Sequence, residues 1–151
     1  MTVAVPVVLF LFNRPATLSR VIDAVLAARP ETVVAIADGP RANWPDDGPR
    51  CAAARALVDR LEGQCAVVRH YSETNLGCDA RIRSGLDWVF ERYPEAIVLE
   101  DDVLPDPSFL PWAERMLHRY RDRPEVMHVS GRNHLGRWTL SGDGHALTRR
   151  A

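Results

Sequence analysis

The sequence predicts an α/β fold, a Rossmann-like, mostly parallel sheet with helices on both faces. Three observations predict it. Short apolar runs rich in β-branched residues alternate along the chain with stretches of helical period. The runs are continuous rather than alternately polar, as expected of strands covered on both faces. Proline and glycine punctuate nearly every boundary. With 151 residues the chain suits one domain.

The elements follow in order. Val3–Phe12 reads as the first strand, with Pro6 marking its beginning, because proline is tolerated at a strand start. The run is only about half the length that spans a bilayer, and it lacks the positive n-region of a secretory signal, so a buried strand is expected. After Asn13-Arg14-Pro15 the period changes. Leu18, Val21, Ile22, Val25 and Leu26 line one helix face, which Pro30 stops. Thr32–Ala37 is a second strand, ending at Asp38-Gly39-Pro40-Arg41. The following loop is dense in turn residues, and its Asp46 and Asp47 read as solvated. A helix then carries Ala54, Leu57, Val58 and Leu61 on one face and closes at Gly63.

Ala66–Tyr71 reads as a third strand and Asn75-Leu76-Gly77 as a turn. Ile82, Leu86, Val89 and Phe90 then mark a helix that ends before Pro94. The run 96–100 is a fourth, buried strand that stops at Glu100-Asp101-Asp102. Ser108 is placed as the N-cap of a further helix, with Pro111 at its third position, where no intrahelical bond is lost. Phe109, Trp112, Ala113, Met116, Leu117 and Tyr120 form its apolar face. Val126–Ser130 is expected as a fifth strand. The domain is drawn as 1–133. Residues 134–151 form an irregular tail, with a short strand expected at 138–140.

Composition narrows the chemistry. The formal net charge is -1, so no attraction to nucleic acid is expected. All 19 Lys+Arg residues are arginine, which excludes Schiff-base lysines and Walker-type loops. The 3 cysteines fit neither zinc spacing nor a disulfide framework. Reduced thiols and the absence of an apolar span point to a cytoplasmic location, or a peripheral one at the inner membrane face. The five histidines show no ligand spacing.

Three strands end in polar residues on one edge of the expected sheet: Asn13 and Arg14, then Asp38, then Glu100, Asp101 and Asp102. Open α/β sheets bind ligands outside the carboxyl ends of their strands. An arginine beside a carboxylate cluster suits a nucleoside diphosphate held through Mn2+ or Mg2+, whose preferred ligands are oxygens. No GxGxxG follows the first strand, which argues against a dinucleotide. Alternative readings of the same residues are structural. Arg14 pairs with a nearby carboxylate, Arg81 and Arg83 are solvated on a helix, Asn75 and Gly77 only turn the chain, and Phe109 and Trp112 belong to the core.

These blocks resemble the donor-binding half of GT-A glycosyltransferases, most closely the N-acetylglucosaminyltransferase I-like group and related bacterial sugar transferases. The matching pieces are Val8–Pro15, Ala37-Asp38-Gly39, Asn75-Leu76-Gly77 with the Arg81 helix, Val98–Asp102 and Val129-Ser130-Gly131. The resemblance implies inverting transfer of a sugar from a nucleotide-diphosphate donor, a UDP-sugar by preference, to an acceptor hydroxyl on a carbohydrate or other molecule. It implies that Asp102 holds the metal, Asp101 contacts the ribose and Glu100 supports the nucleotide. It further implies that Asp38 accepts from the base, Arg14 lies beside it, and Arg81, with Arg83, faces the diphosphate. The family's acceptor region and general base follow the fifth strand, and residues 131–151 do not match it. The chain therefore reads as truncated after the donor half, with no catalytic base assigned. A non-catalytic nucleotide-binding remnant and a nucleotidyltransferase are the competing readings. The second usually carries a glycine-rich basic loop, which Asn13-Arg14-Pro15 is not.

Overall fold

A computed structural model describes residues 2–131. Its elements are β1 (Val7–Leu11), α1 (Pro15–Ala27), β2 (Thr32–Ala37), α2 (Asp47–Leu57), β3 (Ala66–Tyr71), α3 (Cys78–Phe90), β4 (Ile97–Glu100) and α4 (Phe109–Tyr120). A 3-10 turn, Val58–Leu61, extends α2, so the expected helix face over 54–61 is shared between two kinds of helical turn. The four strands form one parallel sheet in the order β3-β2-β1-β4. This is the α/β, Rossmann-like architecture. No helix among the described residues is long and apolar enough to cross a membrane.

Strand alternation divides the core in two. Val7, Leu9 and Leu11 of β1, with Val33, Ala35 and Ala37 of β2, face α1, α2 and α4. Val8, Phe10, Val34 and Ile36 face the opposite way, against Val89 of α3 and the half-buried Ile82 and Leu86. Helices therefore lie on both faces, three against one. The asymmetry follows from handedness. The chain moves outward from β1 through β2 to β3 with its crossovers on one face. It then reverses to reach β4, and a right-handed crossover must use the other face. Gly85 lets α3 sit close. A Cβ there would lie 2.7 Å and 2.9 Å from Phe10 ring carbons.

The structure departs from expectation at four places. Val126–Ser130 forms no strand. Val126 and Val129, three apart, are half-buried, while Met127 and His128 between them are exposed, so a period-2 face is missing. β4 is not buried on both sides. Ile97 and Leu99 are buried, but Val98 and Glu100 are exposed, since α3 packs over β1 and β2. Phe90 is exposed as well, because the inward line of α3 runs Arg81, Gly85, Val89. The N-terminal strand begins only at Val7, although Val3 still bridges to Pro30 and is buried. The expected strand at 138–140 and the tail boundary at 133 lie outside the described residues.

Candidate functional site

The switch point of this sheet lies between β1 and β4, where the strand order reverses. Phe12, Asn13 and Arg14 leave β1 there, and Asp101 and Asp102 leave β4. The register Phe10↔Glu100 brings the two strand ends level. Asp101 turns inward and is 3% exposed. One of its oxygens accepts the Phe12 main-chain N–H at 2.9 Å, and the other accepts Arg14 Nη1 at 3.0 Å. Asp102 turns outward, its side chain 43% exposed, and takes the same Arg14 nitrogen at 2.7 Å. The hydrogen bond to Asp101 is the chief reason that the Arg14 guanidinium is held even more firmly protonated than usual, with the charges of Asp101, Asp102 and Glu100 adding to it.

The three acids thus have separate situations. Glu100 is exposed on the α3 side of the sheet, Asp101 latches β4 to β1, and Asp102 faces solvent beside a cation. The implied ribose contact of Asp101 is not what its surroundings support, because the carboxylate is buried and committed to Phe12 and Arg14. An exposed ion pair such as Arg14–Asp102 is worth only about 0–1 kcal/mol. Either partner can therefore be redirected to a ligand at little cost.

Asp38, at the end of β2, is 6% exposed and saturated. Its Oδ1 accepts the N–H groups of Gly39 and Leu76, both at 2.9 Å. Its Oδ2 accepts Asn75 Nδ2 and Gly77 N, both at 3.0 Å, and shares Leu76 N at 3.2 Å. The carboxylate fills a nest of N–H groups at the start of α3, where a negative charge also complements the helix dipole. The base contact implied for Asp38 is therefore replaced by a structural task, as no lone pair remains for a ligand. Gly39 permits the close approach of the two loops, since a Cβ there would lie 2.5 Å from the Thr74 carbonyl carbon. Asn75-Leu76-Gly77 is more than a turn, and Gly77 has φ 84°, which favours glycine.

Arg81 does not reach the crevice. It is buried on α3, where its Nε donates to the Ala37 carbonyl at 3.1 Å and an Nη to the His70 carbonyl. Burial lowers its pKa, with Asp38 opposing the shift. Arg83 is exposed beside Asp79. Both departures share one cause. The helix face that carries Arg81, Gly85 and Val89 is the face laid on the sheet.

A second polar cluster, absent from the sequence reading, stands beside the first. Asp47, the first residue of α2, is only 2% exposed. It accepts Arg41 Nε at 2.6 Å, Arg41 Nη2 at 3.0 Å, Arg41 N at 3.2 Å and Asn13 Nδ2 at 2.7 Å. The Arg41 fork, foremost, holds the Asp47 carboxyl far below the ordinary carboxylate range. Arg41 in turn lies over the rings of Phe12 and Trp44. Asp47 is thus no solvated loop residue. Asn13 is spent on it and, through its carbonyl, on Arg50. The one sequence signal was an arginine and a tryptophan in a turn-rich loop directly after a strand end.

As to metal, no group of three or more His, Cys, Asp or Glu among the described residues is arranged to hold an ion alone. Asp102 offers a single exposed carboxylate. That fits Mg2+ or Mn2+ only in the mode where substrate phosphates and waters complete the coordination. Two cavities among the described residues lie elsewhere. A groove of about 670 Å³ runs along α4 at Trp112, Met116 and Arg119. One of about 410 Å³ lies at the opposite end of the sheet, near Pro30 and Cys65. A scan of protein-family models and a search of curated proteins give no match to this chain.

Proposed function

We propose that the chain binds a nucleoside diphosphate sugar at the β1–β4 switch point and takes part in transfer of that sugar to a hydroxyl acceptor. The observation that carries this reading is the meeting of Arg14 with Asp101 and Asp102 across the switch point. A cation and an outward carboxylate lie side by side at the position where open α/β sheets receive phosphorylated ligands. The resemblance to GT-A transferases supports the same class.

The residues divide the work as their geometry allows. Asp101 holds the strand ends together and anchors Nη1 of the Arg14 guanidinium at the switch point. Arg14 turns from Asp102 to the diphosphate, where its fixed positive charge offsets the negative charge that grows on the leaving group. Asp102, released, is the carboxylate that would hold Mn2+ or Mg2+. Such an ion supplies Lewis-acid stabilisation of the diphosphate. Glu100 lines the exposed side of β4. Asp38 and Arg81 act by holding the α3 loop in place. A UDP-sugar is the preferred donor, and a carbohydrate the preferred acceptor.

Calorimetric titration of the chain with UDP in the presence of manganese tests this. Binding that depends on manganese and is lost in Asp102→Ala is the expected result. Binding indifferent to both changes sinks the metal role of Asp102, and no binding of any nucleoside diphosphate sinks the reading as a whole.

A further inference from the structure

Trp44 is the most exposed aromatic ring near the strand ends, at 57%. Single exposed rings are common on proteins and by themselves mean little. This one is built in. The Trp44 main-chain N–H donates to the Arg41 carbonyl at 3.2 Å, and the Trp44 main-chain carbonyl accepts from Asp47 N at 3.0 Å, which fixes the backbone that carries the ring. The Arg41 guanidinium lies 4.1 Å from the indole centroid. That guanidinium cannot drift, because its fork is locked on the buried Asp47. One face of the indole therefore rests on a fixed cation, and the rest of the ring stands in solvent.

Its place in the fold adds the second half of the argument. Arg41 also covers the ring of Phe12, at 5.5 Å, and Phe12 N donates to Asp101. Trp44 is thus linked to the acid cluster through Arg41 and Phe12, on the β1–β2 side, while Asp102 stands on the β1–β4 side. Adjacent strands are about 4.8 Å apart, so the ends of β2 and β4, with β1 between them, lie on the order of 10 Å from each other. A nucleoside diphosphate has the same polarity along its length, a charged group at one end and a flat π-system at the other.

Resting on the donor-site reading above, we infer that Trp44 is the stacking platform for the nucleobase, with Arg41 and Asp47 as the residues that position it. Stacking accepts any base face, so the platform contributes affinity for nucleosides more than discrimination among them. The Arg41 cation beneath the indole holds the ring in its presenting orientation.

The test is calorimetry on the full chain with manganese, using UDP, a UDP-sugar, CDP, ADP, GDP and inorganic pyrophosphate, for wild type, Trp44→Ala and Trp44→Phe. The expected result is that Trp44→Ala weakens every nucleoside diphosphate that binds by about tenfold or more and leaves pyrophosphate unchanged. Trp44→Phe retains binding to within a few-fold. Equal nucleotide affinity in wild type and Trp44→Ala overturns the inference while leaving the donor site standing. So does a loss seen only with a UDP-sugar and not with UDP, which would make the ring a sugar platform. Wild type that binds neither nucleotides nor pyrophosphate overturns the donor-site reading and the inference together. Thermal melts of both variants, expected to match wild type because the ring is exposed, separate loss of contact from loss of fold.

Discussion

Replacing Asp38 distinguishes a structural carboxylate from a ligand-binding one. In Asp38→Ala the N–H groups of Gly39, Leu76 and Gly77 and the Asn75 amide lose their acceptor at the same time. A buried donor left without a partner costs about 1–3 kcal/mol, and neighbouring losses do not add in full. Some of these groups reach water once the loop loosens, so about 3 kcal/mol is the expected total. For a domain of this size each kcal/mol moves Tm by about 2–4 °C, which gives a fall of about 9 °C. Asp38→Asn is expected to fare little better. Donors converge on both carboxylate oxygens, so whichever way the amide is turned its NH2 meets at least two N–H groups. Circular dichroism melts and urea titrations measure both variants. A change in Tm below about 2 °C in both would refute the nest, and a normal Tm with nucleotide affinity lost would return Asp38 to the base contact implied by the family resemblance.

Other predictions follow from the same geometry. Gly85→Ala places a methyl group against the Phe10 ring and Ile36, and is expected to destabilise by about 1–3 kcal/mol, measured by urea unfolding. Manganese alone is expected to leave Tm unchanged, whereas manganese with UDP raises it, since one outward carboxylate needs phosphate oxygens to complete a site; a rise with metal alone contradicts this. The Asp47 carboxyl titrates lower in the folded chain than its ordinary 3.8. Its stabilising share is thus complete above about pH 4 and is lost as pH falls through the depressed folded value. Asp47→Asn should accordingly flatten the acid limb of a stability–pH curve. His70 shifts downward too, chiefly through burial and then through Arg81 and Arg92. Here the unfolded chain takes up the proton first, so stability declines as pH drops below about 6.5, and His70→Gln should remove that decline in melts at pH 5 to 7.

The alternation of strands and helices, the starts and ends of β2 and β3, and the polar residues at three strand ends are all legible in the sequence. They depend on local rules. A buried strand must be apolar on both faces, a helix must repeat its apolar residues every three or four positions, and proline must lie at boundaries. The resemblance to GT-A transferases also rests on residues close together in each block. None of this tells which way a polar side chain turns once the blocks meet.

That was decided by tertiary structure. Asp101 and Asp102 are neighbours of like chemistry, yet pairing of β4 with β1 turns the first onto Phe12 N and leaves the second in solvent. Asp38 is saturated chiefly by donors 37 to 39 residues further along the chain, and Asp47 by Asn13, 34 residues before it, as well as by Arg41. Arg81 points at carbonyls because the crossover after β3 lays that side of α3 on the sheet. The absence of a strand at 126–130 belongs here as well, since β-branched composition makes a strand only where an apolar face exists to receive it. The sequence by itself determined the fold and the sheet edge at which the polar strand ends gather, because those follow from the backbone's few regular conformations. Which carboxylates and arginines remain available there followed from hydrogen bonds between residues far apart in the chain.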